Sequence, residues 1–127
     1  MRRMTAADRE AAERRTQLLR GVLDMCLLAL LARAPAHGYE LVRRLNAAGF
    51  DTVGYGTVYP LLTRMRRLGL VADQLTDSPA GPPRKVYELT ESGQRTLHGW
   101  TEQWTGFVQM INTTLADPAP SSSTVER

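Results

Sequence analysis

Between Asp51 and Asp73 the chain carries no acid, and residues 54–70, GYGTVYPLLTRMRRLGL, collect there the side chains best suited to meet an anion. On a helix, Val58, Leu61, Leu62, Met65 and Leu68 recur every three or four positions and predict one buried stripe. The other face then carries Tyr59, Pro60, Thr63, Arg66 and Arg67, with Thr57 and Arg64 beside it. Guanidinium groups make bidentate hydrogen bonds to phosphate and guanine, and hydroxyls reach backbone oxygens. The chemistry on offer is recognition of double-stranded DNA, and a plain solvated face is its competitor.

Catalysis has less to work with. His37 and His98 are the two histidines, one in an expected turn and one on an expected surface helix, and no paired carboxylates, metal-ligand spacing or phosphate-cradling glycine loop occurs. No enzyme activity, metal or cofactor is expected, and His37 reads as a helix-entry hydrogen bond. The single cysteine, Cys26, excludes an internal disulfide, fits a reducing cytoplasm and, beside Met25, Leu27 and Leu28, reads as a core residue.

The elements that must hold the basic stretch follow from pattern. At 127 residues the chain is one domain, or one domain with an appendage. Its formal charge of +3 is uneven: residues 1–20 hold six arginines against three acids, 21–89 eight basic against six acidic residues, and 90–127 two against four. Arginine makes up fifteen of the sixteen basic residues, a skew that a GC-rich genome would also produce. The polar N-terminus through Gln17 predicts no signal peptide, and the apolar run 22–32, interrupted by Asp24, is too short to cross a bilayer. A soluble, cytoplasmic protein with no membrane contact is expected.

Thr5 and Asp8 have the form of a capping box opening an N-terminal helical arm over residues 1–17, and Arg14, Arg15 and, just beyond it, Arg20 are equally suited to phosphate or solvent. From residue 18 to 33 the apolar content predicts a core helix. Residues 34–38, APAHG, break it, and 39–48 read as a short helix with Leu41, Val42 and Leu45 inward. Two helices joined by a glycine-bearing turn, the second basic outside, form a helix-turn-helix pattern. Pro60 favours a late start for the second helix, with Thr57 as its cap, or a first turn that is not quite α. Residues 71–75 and 85–89 alternate like strands around the loop 77–83, which predicts a hairpin, or wing, with Arg84 and Lys85 placed to meet the DNA backbone or minor groove.

Thr90 caps a last helix, 90–116, on which Leu97, Trp100, Trp104, Phe107, Val108, Ile111 and Leu115 stand three or four apart. Nothing after it can cover that stripe, so a second copy of the chain is the expected partner. Residues 117–127 are proline and serine rich and expected to be disordered. The fold class is thus mainly α with some β: a winged helix-turn-helix over 18–89, a two-stranded wing and a long C-terminal dimerisation helix.

Three blocks, LLRGVLDMCLLALLARAPAHGYEL (18–41), GTVYPLLTRMRRLGLV (56–71) and GPPRKVYELTESGQRTL (81–97), resemble the PadR family of bacterial transcription regulators in order and spacing. The resemblance implies a homodimer on a palindromic operator, usually as a repressor, and the single C-terminal helix looks like the family's shorter subgroup. Tyr39, Thr57, Tyr59 and Arg64 match family positions that approach DNA, and Arg84 and Lys85 match its wing. In multidrug-binding relatives a tryptophan on the last helix stacks on flat apolar ligands at the dimer axis; Trp104 matches it, with Trp100 one turn earlier. FDTVGYG (50–56) departs from the serine-proline start of many members.

Three functions are therefore weighed: a repressor released by a planar aromatic small-molecule effector in the dimer interface; a DNA-binding dimer in which both tryptophans are only core; and a protein-interaction module, against which Arg64, Arg66 and Arg67 speak.

Overall fold

The computed structural model describes residues 3–116, and the expected disordered tail lies outside them. Its elements run α1 (Ala6–Arg20), α2 (Leu23–Arg33), β1 (Ala36–His37), α3 (Gly38–Ala47), α4 (Tyr55–Arg67), β2 (Val71–Ser78), β3 (Gly81–Leu89) and α5 (Glu91–Leu115). The strands form one antiparallel sheet in the order β1-β3-β2. The wing therefore has a third, two-residue strand where a plain turn is expected, with Ala36 opposite Tyr87 and His37 opposite Val86.

The capping box forms: the Thr5 hydroxyl accepts from the Asp8 N–H at 3.0 Å, and the Asp8 carboxylate accepts from the Thr5 N–H at 3.0 Å. α1 nevertheless buries no residue. The Arg15 guanidinium ties it down by donating to the Gly49 carbonyl at 3.0 Å, with Asp51 at 4.0 Å. Gly21 ends α1, so the core helix starts at Leu23 rather than at residue 18, and Leu18 is left exposed.

Packing follows the apolar stripes. Leu27 and Leu28 from α2, Leu41 and Leu45 from α3, and Val58, Leu62 and Met65 from α4 are fully buried, with Val71 and Tyr87 of the sheet closing one side. α3 and α4 both end in a Schellman motif. Phe50 N–H bonds the Leu45 carbonyl at 2.9 Å and Gly49 N–H that of Asn46 at 3.1 Å, while Leu70 N–H bonds Met65 at 2.9 Å and Gly69 N–H bonds Arg66 at 3.0 Å. Gly49 and Gly69 adopt φ of 113° and 79°, which side chains with a Cβ rarely take. The Asn46 side-chain amide braces the turn to α4 by donating to the Phe50 and Val53 carbonyls at 2.7 and 3.0 Å.

Three expectations are corrected. α4 starts at Tyr55 with Gly54 as cap, not at Thr57. Tyr55 is held there by stacking on Tyr39, and the proline in the second turn simply leaves the Gly56 carbonyl without that donor. Leu68 is exposed, because it is the C-cap where the chain turns away; Leu70, one residue past the αL glycine, takes its place in the core. The strands of the hairpin also run further than predicted, to a two-residue turn at Pro79 and Ala80. Thr76 pairs with Arg84 and Ser78 with Gly81, so Pro82 and Pro83 occupy a bulge, where a missing N–H is tolerated.

α5 begins where Thr90 accepts from the Gly93 N–H at 2.9 Å, with its hydroxyl also within reach of the Gly69 and Leu70 carbonyls at 2.7 and 3.1 Å. Leu97 and Trp100 pack on the core. Beyond them Trp104, Phe107, Ile111 and Leu115 are exposed and Val108 is half-buried.

Candidate nucleic-acid interface

Every tyrosine in the chain lines one cleft of about 410 Å³ between the starts of α3 and α4 and the wing, together with His37, Arg84 and Lys85. Tyr39 stacks on Tyr55 with centroids 4.4 Å apart and planes 12° from parallel, and Tyr59 lies 5.6 Å further along. The stack needs glycine beneath it, since a Cβ on Gly38 would stand 2.5 Å from the Tyr55 ring. Tyr39 and Tyr59 remain exposed, which leaves aromatic edges and hydroxyls at the cleft mouth. Burial, and then the neighbouring Tyr39 and Tyr59, raise the pKa of Tyr55; burial and then Tyr55 and Asp73 raise that of Tyr87. Both hydroxyls stay protonated donors at neutral pH.

His37 is the N-cap of α3, as expected, accepting the Glu40 N–H on Nδ1 at 3.2 Å. Its Nε2 faces Arg84 Nη1 of the wing at 3.2 Å, a contact whose donor depends on the ring tautomer.

Electrostatics divide the arginines into two groups. On α3, Arg43 and Arg44 both bond Glu40, Arg44 Nε at 3.2 Å, and the Arg43 bond first, then those charges, lower the carboxyl pKa. On α4, Arg64 and Arg67 are exposed and have no acidic partner among the described residues. Arg66 lies 4.0 Å from Asp73 of β2, and Lys85 lies 3.6 Å from the same carboxylate. Thr57 is exposed and Thr63 half-buried on the same helix.

The structure thus brings Tyr39, Tyr59, Arg84 and Lys85 together at the cleft and sets Thr57, Thr63, Arg64, Arg66 and Arg67 along the adjoining helix. Sequence reasoning missed Tyr55, Tyr87 and Asp73. The tyrosines were visible as one aromatic in each motif, and Asp73 as the acid that ends the acid-free interval.

A second, smaller hollow of about 170 Å³ lies between the start of α2 and α5, where Trp100, Trp104 and Phe107 face Val22 and Met25. Cys26, half-buried nearby on α2, has its thiol pKa raised by burial and then by Asp24. Among the described residues no helix is long and apolar enough to cross a membrane.

A helix-turn-helix whose second helix presents exposed arginines, closed by a β-hairpin, defines a winged-helix domain of the DNA-binding class. The sequence matches the Transcriptional regulator PadR-like family over residues 27–99. The chain belongs to that family of DNA-binding transcriptional regulators. It is similar to a PadR family transcriptional regulator from Eggerthella lenta DSM 2243, whose crystal structure superposes with a TM-score of 0.83 at 33% identity over 89% of this chain and 98% of that one. A PadR-like transcriptional regulator from Bacillus cereus strain ATCC 14579 gives a TM-score of 0.72 at 36% identity, covering 80% and 99%. The negative transcriptional regulator PadR of Bacillus subtilis (strain 168) is 27% identical over 81 residues, 62% of this chain but 44% of that protein.

Proposed function

We propose that the protein represses transcription by binding a palindromic operator as a homodimer, with α4 in the major groove and the β2–β3 wing on the adjoining backbone. Tyr39, Thr57, Tyr59, Thr63, Arg64, Arg66, Arg67, Arg84 and Lys85 are the contacting residues in this reading. The observation that carries it is the pair of exposed arginines Arg64 and Arg67, without an acidic partner among the described residues, beside a cationic wing. Repression is supported by the likeness to a protein named as a negative regulator. The second copy is supported by the uncovered stripe of Trp104, Phe107, Ile111 and Leu115. Two α4 helices then read half-sites about one helical turn, or a multiple of it, apart.

Replacing Arg66 and Arg67 with alanine tests the reading helix. Specific operator affinity should fall about 100-fold or more, at roughly 1–3 kcal/mol per base-reading arginine, with folding and dimerisation intact. Unchanged affinity would remove α4 from the role.

The effector reading rests on Trp100 and Trp104. One chain supplies a hollow of about 170 Å³, smaller than the roughly 300 Å³ or more that drug-sized ligands fill, so a second copy must complete the site. A planar aromatic effector there shifts operator affinity only by binding the two spacings of the dimer unequally. Such compounds should quench tryptophan fluorescence, and Trp104→Ala should abolish the response. Silence across a broad screen favours the second reading, in which both tryptophans are dimer core and no effector exists; the small hollow is the observation on its side.

A further inference from the structure

We propose that Asp73 is the positioning residue that joins the recognition helix to the wing and sets how well the protein tells its operator from other DNA. The proposal rests on the assignment of DNA contact to α4 and the wing. Asp73 stands on β2 in register with Tyr87, on the strand face where Val71 is buried and Arg66 of α4 arrives. Lys85, in register with Leu75, is its diagonal neighbour on that face. One carboxylate therefore meets two cations from different elements, Arg66 Nη1 at 4.0 Å from Oδ1 and Lys85 Nζ at 3.6 Å from Oδ2. Among the described residues Asp73 is the acid that pairs with cations of α4 or the wing.

Stability does not explain the arrangement. Both cationic side chains are about half exposed, at 48% and 46%, and ion pairs with such partners add little to folding. Geometry explains it better. A carboxylate between Arg66 and Lys85 fixes their separation and offsets part of their charge, so phosphates gain both cations only where the duplex fits that spacing. Without it, two long cationic side chains are free to follow any phosphate backbone, and like charge pushes the wing from the helix.

The test uses the full chain, a duplex selected in vitro by the protein and a scrambled duplex, with binding followed by fluorescence anisotropy across a salt series. Asp73→Asn should raise affinity for the scrambled duplex about 10-fold, leave the selected duplex within about 3-fold, and steepen the salt dependence on the scrambled duplex by roughly 0.9 of a log unit per released cation. Asp73→Glu, which restores the charge, should return the ratio of affinities to within about 3-fold of the parent. In an Arg66→Ala, Lys85→Ala background, Asp73→Asn should change nothing, because the carboxylate acts through those residues. An unchanged affinity ratio in a folded Asp73→Asn protein, or a change that persists in that background, overturns the proposal. Should Asp73→Asn not fold, Asp73→Glu decides alone: the same ratio as the parent supports a charge role, and a scrambled-duplex gain ends it. A parent that binds no duplex, or keeps its affinity after Arg66→Ala with Arg67→Ala, ends the DNA assignment and this proposal together, whereas intact DNA binding with an unchanged ratio ends only the role of Asp73.

Discussion

Leu97 and Trp100, on the first turns of α5, rest against the core, whereas Phe107, Ile111 and Leu115, spaced along the same stripe, are 50%, 47% and 77% exposed. α4 offers the opposite case: Val58, Leu62 and Met65 vanish into the domain, and the face left to solvent is cationic. Both helices are amphipathic, yet α4 exposes a surface fit for a polyanion and distal α5 one fit for another apolar surface. An apolar stripe states that a face needs cover. It does not state whose chain supplies it, and in α5 the change falls between Trp100 and Trp104.

The largest effect expected from that contrast comes from charging the uncovered half. Phe107→Glu with Ile111→Glu should leave the winged-helix domain folded, turn a dimer into a monomer by sedimentation, and lower operator affinity by a factor of about 1,000 as one half-site is lost. A parent already sedimenting as a monomer would break the comparison, for the exposed stripe would then not be a self-association surface. Next in size, Leu62→Ala should cost about 2–5 kcal/mol of unfolding free energy in denaturant melts, while Leu115→Ala should cost less than about 0.5 kcal/mol once the protein is made monomeric. Equal losses would mean that distal α5 is covered within the chain. The smallest effect concerns the tyrosine cleft. Tyr55 and Tyr87 have raised pKa values in the folded chain, so their contribution is complete below the ordinary tyrosine value of about 10 and is lost as pH rises through the folded values. Thermal melts should therefore weaken in alkali, less so in Tyr55→Phe, with no matching change in Leu115→Ala.

Much of this was legible in the chain because the signals are local. The Thr5 and Thr90 caps, the break around Pro35 and Gly38, the apolar spacing of α4 and the hairpin's punctuation all act within a few residues. The family resemblance extended that reading to Tyr39, Arg84 and Lys85, and the structure sets them around one cleft. What was missed depends on neighbours distant in sequence. Thr57 was expected to open α4 because Pro60 argues for a late start, but Tyr55 extends the helix by stacking on Tyr39, sixteen residues earlier. Leu68 continued the stripe by count alone, and the αL turn at Gly69 moved Leu70 into the core instead. Residues 36–37 looked like part of a turn, and their pairing with β3 required knowing where β3 lies.

The sequence by itself determined that there would be a helix-turn-helix, a hairpin after it, a basic outer face on its second helix and a last helix with an apolar stripe, because periodicity, capping and turn chemistry are set by adjacent residues. Only the tertiary structure decided that four tyrosines share one cleft, that His37 meets Arg84 of the wing, and that Asp73 stands between Arg66 and Lys85. Those juxtapositions join residues from different elements, and their distances follow from how the elements pack.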